Sequence, residues 1–387
     1  MFSMRIIKNN AIYLNKLLCV LLAAAVIAQA FAGCKPKKDG EDASLTTPKP
    51  AETEVPAETE PPVTPEPTPG PTQTPDPSPF ADVVLSREVR LNYFAIPQVI
   101  IDLMTPADIE LYKRVVVACV AGETSVEIPK DLGEYPNLWR VVDMYCPLFF
   151  YNVRDDSITE TEDTITWKYT NAEHNDELFE RFENNVLSRL SSVREGDSEL
   201  AKIIAVYKDY TASIEYDDTL EGSLYKYRHG VDALRYGRGV CWCFARGFNF
   251  LICQLGVESL TVHGLREWDG AIHEWVVFRD GDQWRYCDPT WDIGGYALNY
   301  FGFTIKTRNN DNFPEEHVTV LEGTKYLASD YFNVSDTFFK PLYTGQCCGS
   351  WYEVDHEGNR ILFYDYYDNT LAMVFDLSTG EYYDVNE

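Results

Sequence analysis

The sequence predicts an α+β fold with a helical N-terminal lead-in, a mixed core and a small C-terminal β-meander. Apolar residues recur at helical spacing from Leu178 to Leu190 and again from Leu200 to Tyr207. Two runs rich in Val, Phe, Trp and Tyr then surround Asp280-Gly281 and predict a β-hairpin. After Trp351, alternating aromatic runs broken by turn sequences predict the meander.

Changes in composition divide the 387 residues into five segments. The folded part is large enough for a sizeable core, since 45% of the residues are hydrophobic. We expect a signal peptide over 1–33, a linker over 34–80, a helical region over 81–199, the mixed core over 200–345 and the meander over 346–387.

The N-terminal segment has the pattern of a secretion signal. Arg5, Lys8 and Lys16 form a basic region, and an apolar run ends at Ala32. A short transmembrane anchor is the alternative, but the run is a little shorter than the roughly 20 residues that spanning needs. The sequence Phe-Ala-Gly before Cys34 resembles a bacterial lipobox, which implies lipidation of Cys34 and a surface lipoprotein held on the membrane, outside the cytoplasm.

Residues 35–80 are expected to be an extended, disordered spacer. This stretch holds 13 of the 21 prolines, mixed with Thr, Glu and Ala, and has few large apolar residues. Such a composition cannot bury enough apolar surface to form a core. We expect the spacer to lift the folded part away from the membrane.

Charge and cysteine spacing exclude several functional classes. The net charge of −28 repels phosphate backbones, so nucleic acid is not an expected partner. The cysteines show neither the spacing of a disulfide scaffold nor that of a zinc site, because no second pair with His follows Cys241 and Cys243. We expect no metal and no cofactor.

A thiol at the start of a buried helix is the first candidate for chemistry. Gly237 and Gly239 predict a turn, and Phe244, Phe248 and neighbouring apolar residues at helical spacing predict a helix that begins near Cys241. The positive end of a helix favours the thiolate, which is the state that a nucleophile needs. The alternative is an inert core thiol, since free Cys is often buried.

The predicted hairpin supplies two partners for this thiol. A two-residue turn at Asp280-Gly281 would place His273 directly opposite Asp288, on one face of the sheet. The Asp288 carboxylate could then accept the Nδ1 proton and orient the imidazole. A three-residue loop would turn Asp288 to the other face. A structural cross-strand pair is the alternative.

Together these motifs resemble the transglutaminase-like superfamily, in its bacterial branch. The resemblance rests on Gly239-Val-Cys241, Ala245, His273-Glu-Trp275 and Asp288-Pro-Thr-Trp291, and it covers about residues 200–305. It implies a papain-like α+β core with Cys241 as nucleophile, His273 as general base and acid, and Asp288 as the orienting carboxylate. Tyr216 is a weak candidate for the upstream side chain that stabilises the oxyanion in this family.

One position departs from the family pattern. Cys243 stands where the family usually has glycine, two residues after the nucleophile. A small apolar filler is the favoured interpretation, because Cys253 and Cys287 also lie in apolar runs. The alternative is a resolving thiol that regulates Cys241 by oxidation.

The resemblance implies acyl chemistry on amide or peptide bonds through a thioester. We expect hydrolysis rather than transfer to an amine, and a peptide, protein or cell-wall substrate that carries carboxamide groups. Two other classes stay open at this level: a non-catalytic surface binding module on the same scaffold, and a structural envelope protein.

Overall fold

The computed structural model describes residues 78–217, 228–265, 270–304, 317–321, 327–365 and 367–386. All of them belong to one unit, Thr74–Glu387. The predicted signal peptide, Cys34 and nearly all of the predicted spacer lie outside the described residues. Among these residues no helix combines the length and apolarity that crossing a bilayer requires.

Helices dominate the described residues before the mixed core, as the periodicity predicts. In chain order the α-helices are α1 (Gln98–Leu103), α2 (Pro106–Ala121), α3 (Leu138–Tyr145), α4 (Leu148–Asn152), α5 (Asn175–Arg189), α6 (Glu199–Ala212), α7 (Gly230–Tyr236), α8 (Cys241–Cys253) and α9 (Lys340–Tyr343). Short 3₁₀ turns occur at Asp155–Ser157, Ala172–His174 and Ala328–Asp330.

The strands within the described residues form four sheets. In chain order they are β1 (Ser125–Glu127), β2 (Thr159–Glu160), β3 (Thr164–Thr166), β4 (Glu215–Tyr216), β5 (Arg238–Gly239), β6 (Ser259–Leu265), β7 (Ile272–Asp280), β8 (Gln283–Cys287), β9 (Phe301–Phe303), β10 (Val318–Thr319), β11 (Trp351–Asp355), β12 (Arg360–Tyr364), β13 (Leu371–Asp376) and β14 (Tyr382–Asp384). Their orders are β1-β3-β2, β10-β6-β7-β8-β9, β11-β12-β13-β14 and β4-β5.

The start of α2 shows how local sequence sets an element. Thr105 and Asp108 form a reciprocal capping box, and Pro106 occupies the first helical position, where no backbone donor is lost. The helix ends at Gly122, whose φ of 76° is the left-handed conformation that glycine adopts without a Cβ penalty. These local features set where the helix begins and where it ends.

Helix α8 lies at the centre of the core. It packs against α3, α6 and α7 and against strands β6 and β7. Phe248 meets the Tyr207 ring of α6 edge-on, with centroids 5.2 Å apart, and Tyr207 in turn meets Phe301 of β9 at 5.0 Å. A helix that is buried on nearly every side holds its first residue in a fixed position relative to the sheet.

The β7–β8 hairpin differs from its predicted register by two residues. Asp280 pairs with Gln283 and Val276 with Cys287, so the two-residue loop is Gly281-Asp282 and not Asp280-Gly281. Gly281, with φ of 56°, is the first central residue of this turn. His273 and Asp288 are therefore not directly opposite. A shift of two preserves the face of the sheet, so they become diagonal neighbours.

The C-terminal meander is antiparallel throughout and packs against the mixed core. His356 Nδ1 lies 2.8 Å from Asp197 Oδ1, just before α6. The Phe375 ring of β13 packs against the rings of Phe338 and Phe339, with both centroid distances at 5.7 Å. The meander is therefore built onto the core by buried polar and aromatic contacts.

Candidate active site

The thiol of Cys241 stands at the first residue of α8. The short parallel pair β4–β5 leads into it: Tyr216 pairs with Gly239, and the Asp217 N–H donates to the Gly239 carbonyl at 2.8 Å. Backbone N–H groups in the first turn of a helix have no intrahelical acceptor, and they carry the positive end of the macrodipole. Cys241 is only 5% exposed, so this positive end acts on it in a nearly dry environment.

His273 and Asp288 form a short, buried pair beside this helix start. His273 Nε2 lies 2.6 Å from Asp288 Oδ2, and the two side chains are 9% and 1% exposed. The Cys241 thiol lies close enough to the same imidazole to contribute to raising its pKa. The structure thus brings together the three residues that the sequence singles out.

The imidazole is turned the opposite way from the sequence expectation. Asp288 binds Nε2 and not Nδ1. The Nδ1 atom is then the nitrogen that can serve Cys241. The difference follows from the register, because a diagonal neighbour is reached by the far nitrogen of the ring more easily than by the one next to Cβ.

The second oxygen of Asp288 shapes the turn that follows. Oδ1 accepts from the backbone N–H of Thr290 at 3.0 Å and of Trp291 at 3.4 Å. The Trp291 ring then lies flat on the His273 imidazole, with centroids 4.7 Å apart and planes inclined by 10°. One carboxylate therefore orients the imidazole directly and places an aromatic cover on its face.

Electrostatics favour a charged imidazole. Burial lowers the pKa of His273, but the charge and hydrogen bond of Asp288, together with those of Cys241, outweigh this and raise it to about 10. Near neutral pH this raised pKa favours the protonated imidazole. Within the described residues no group of three or more His, Cys, Asp or Glu side chains is placed to hold a metal ion.

Comparison with known proteins matches this part of the chain to one family. The family model of the transglutaminase-like superfamily matches residues 189–289, which include all three residues of the site. The chain carries a transglutaminase-like domain. The fold of this domain combines helices with an antiparallel sheet, as the superfamily resemblance implies, and this superfamily is generally enzymatic.

Two solved structures also resemble the chain, at a level that supports no functional argument. A proposed cysteine protease from Cytophaga hutchinsonii is 18% identical, with a TM-score of 0.24 over 32% of this chain and 40% of that one. A structure described as a TGase is 18% identical, with a TM-score of 0.26 over 35% and 43%. The chain spans about two fifths of each. No curated protein matches it.

Cys243 lies inside the transglutaminase-like domain with its side chain fully buried. A Cβ added to Gly239 would lie 2.5 Å from Cys243 Cβ, so the two residues occupy one tightly packed space. Burial raises the pKa of the Cys243 thiol well above its usual range. Both facts favour the filler interpretation over a resolving thiol.

One other residue, Tyr216, had an expected place near the site. Tyr216 is 43% exposed, beside the turn before Cys241, and its ring centroid lies 6.1 Å from that of Phe244. Arg246 and Glu274 were not predicted from the sequence, and their charged side chains bridge α8 and β7 inside the domain. A lone arginine in an apolar helix and a glutamate in a buried strand were the available signals.

Proposed function

We propose that this protein is a cysteine enzyme that cleaves amide or peptide bonds through a thioester on Cys241. The observation that carries the proposal is the short His273–Asp288 pair, whose imidazole lies beside the thiol at the start of α8. A nucleophile, a base and an orienting carboxylate in one buried chain of contacts is the arrangement that acyl transfer needs.

In the first half of the reaction, the thiol proton resides on His273 and leaves a thiolate on Cys241. The thiolate attacks the carbonyl carbon of a carboxamide, and the oxyanion faces the backbone N–H groups of the first turn of α8. His273 gives its proton to the nitrogen as the C–N bond breaks. The amine leaves, and the acyl group stays on sulfur as a thioester.

In the second half, His273 takes a proton from water, and the hydroxide attacks the thioester. The acid leaves, and the thiolate re-forms. The charge of Cys241 is one of the causes that raise the pKa of His273, and acylation removes it. The ring thus becomes a better-matched base for water at the stage where a base is needed.

Hydrolysis is the favoured outcome. Bulk water outcompetes an amine acceptor unless a site is built to exclude it. The described residues place two aromatic rings against the imidazole, Trp291 at 4.7 Å and Trp275 at 5.8 Å, which help to hold the orientation of the base.

The test is mass spectrometry of a peptide library and a cell-wall digest after incubation with the full chain. We expect new termini or deamidated side chains, and no products from the Cys241→Ala variant. Cys243→Ala is the matched control, because it removes a thiol two residues away that is fully buried, and it should stay active. Ligands that are retained but never converted would favour the binding-module alternative instead.

We also propose that the enzyme works as a lipoprotein on the outer side of a bacterial membrane. The support is the lipobox-like sequence before Cys34 and the proline-rich segment after it. Cys34→Ser should release the protein into the medium or leave an uncleaved precursor. A mature, detergent-extractable form of the variant would contradict this location.

A further inference from the structure

A buried ion bridge connects the two elements that carry the nucleophile and the base. Arg246 lies on α8, five residues after Cys241, and Glu274 follows His273 directly on β7. Arg246 Nε lies 2.9 Å from Glu274 Oε1, and its Nη2 lies 3.0 Å from Oε2. Its Nη1 lies 2.7 Å from Asp143 Oδ2 on α3. We call these contacts the Arg246 bridge.

The bridge is buried, and its carboxylate has further donors. The side chains of Arg246, Glu274 and Asp143 are 16%, 4% and 2% exposed. Glu274 also accepts from Thr261 Oγ1 at 2.7 Å and from Arg140 Nη1 at 3.3 Å. Burial raises the pKa of Glu274, but Arg140 and Arg246 outweigh it and bring it to about 2. The bridge therefore stays charged across the working pH range of a protein.

Such a bridge is better suited to fixing geometry than to adding stability. Taking charges out of water costs as much as their attraction returns, so a buried pair is weak evidence for stability. A guanidinium that meets a carboxylate with two parallel bonds nevertheless permits only one relative orientation. Here that orientation relates α8 to β7, and hence Cys241 to His273.

We propose that Arg246 is a positioning residue for the Cys241–His273 pair, acting through Glu274 and Asp143. Glu274 is the next residue after His273 on β7, so a shift of Glu274 also shifts the backbone that carries the imidazole. Displacement of reacting groups by 1 Å can cost about 10²-fold in rate. This positioning role rests on the proposed function, but its test does not require a measurement of catalytic turnover.

The test uses Arg246→Lys in the full chain. Lysine keeps the positive charge but cannot make the two parallel bonds to Glu274. The measurement is the rate at which iodoacetamide labels Cys241 between pH 5 and pH 9, read by mass spectrometry of its peptide. In the wild type we expect fast labelling of Cys241 at pH 6, because the imidazolium beside it stabilises the thiolate. In Arg246→Lys we expect this fast labelling to be lost.

Arg285→Lys is the matched control. Arg285 is also a buried guanidinium that bridges two carboxylates, Asp280 and Asp336, but it contacts neither α8 nor β7 near His273. Both variants should lose thermal stability, and only Arg246→Lys should change the pH profile of labelling. A wild-type profile for a folded Arg246→Lys, or the same change in Arg285→Lys, would overturn the positioning role.

Glu274→Gln serves if Arg246→Lys does not fold. It keeps the size of the side chain and removes one charge, and it should change the labelling profile in the same direction. If Arg246 and Glu274 act through one bridge, Cys241 in the double variant should be labelled no more slowly at pH 6 than in the more affected single variant. Additive losses would show independent effects and reject the bridge. Absence of turnover in the wild type with a normal labelling profile would count against the proposed function alone.

Discussion

The substitution Asp288→Asn separates orientation of the imidazole from folding. Asp288 Oδ1 accepts two backbone N–H groups, while Oδ2 pairs with His273 Nε2. Asparagine can keep its oxygen on the backbone donors and then presents its NH₂ group to Nε2. That nitrogen must now accept, so the ring proton moves to Nδ1, the atom that serves Cys241. The thiol is left without a base.

The structure indicates a large effect on reactivity. With the carboxylate gone, burial lowers the pKa of His273 and only the contribution of Cys241 opposes it, so this pKa should fall. The equivalent change in a serine-protease triad costs ~10⁴ in turnover. That factor corresponds to about 5.4 kcal/mol at the transition state.

The effect on stability has its own pH dependence. The pKa of His273 in the folded protein, about 10, lies above the usual value of 6.5. Its stabilising contribution is therefore complete below pH 6.5 and is lost as pH rises towards 10. The difference in thermal midpoint between the wild type and Asp288→Asn should accordingly be larger at pH 6 than at pH 10.

The assay is iodoacetamide labelling of Cys241 at pH 6 and pH 9, with hydrolysis measured alongside. Asp292→Asn is the control, because this buried carboxylate bonds Tyr207 and the backbone of Tyr300. We expect slow labelling at pH 6 for Asp288→Asn and near wild-type labelling for the control. Fast labelling of a folded Asp288→Asn at pH 6 would refute the orienting role.

Three further predictions follow from local geometry. Alkylation near neutral pH should modify Cys241 long before Cys243, and the reverse order by peptide mapping would reject the assigned nucleophile. Gly239→Ala should lower the free energy of unfolding by about 1–3 kcal/mol through overpacking. Denaturant titration should show that Cys243→Gly restores this stability and Cys243→Ala does not, because the 2.5 Å contact is with Cys243 Cβ. Burial lowers the pKa of His229, but Asp143 and Asp155 raise it to about 10. The stabilising contribution of His229 should therefore be complete below pH 6.5 and should fade as pH rises towards 10. A difference in thermal midpoint between the wild type and His229→Gln that stays constant with pH would contradict this.

Local patterns in the sequence were sufficient to predict helices and strands, and to predict which face of a helix or strand a side chain occupies. The capping box at Thr105, the helix that starts at Cys241 and the alternating meander after Trp351 depend on neighbours a few residues apart. The hairpin places His273 and Asp288 on one face because the strand period is two, and this holds for either even register. The candidate site could therefore be predicted before its geometry was known.

Only the tertiary structure decided between arrangements that the local sequence permits equally well. It also set the contacts between residues that are far apart in the chain. The turn could centre on Asp280-Gly281 or on Gly281-Asp282, and only the packed sheet selects the second, which turns Nε2 towards Asp288. The Arg246–Glu274 bridge joins residues 28 positions apart, and each of them stands in an apolar run of the sequence. Sequence periodicity reports which residues are buried, but the partner of a buried charge is set by how helices and sheets pack in three dimensions.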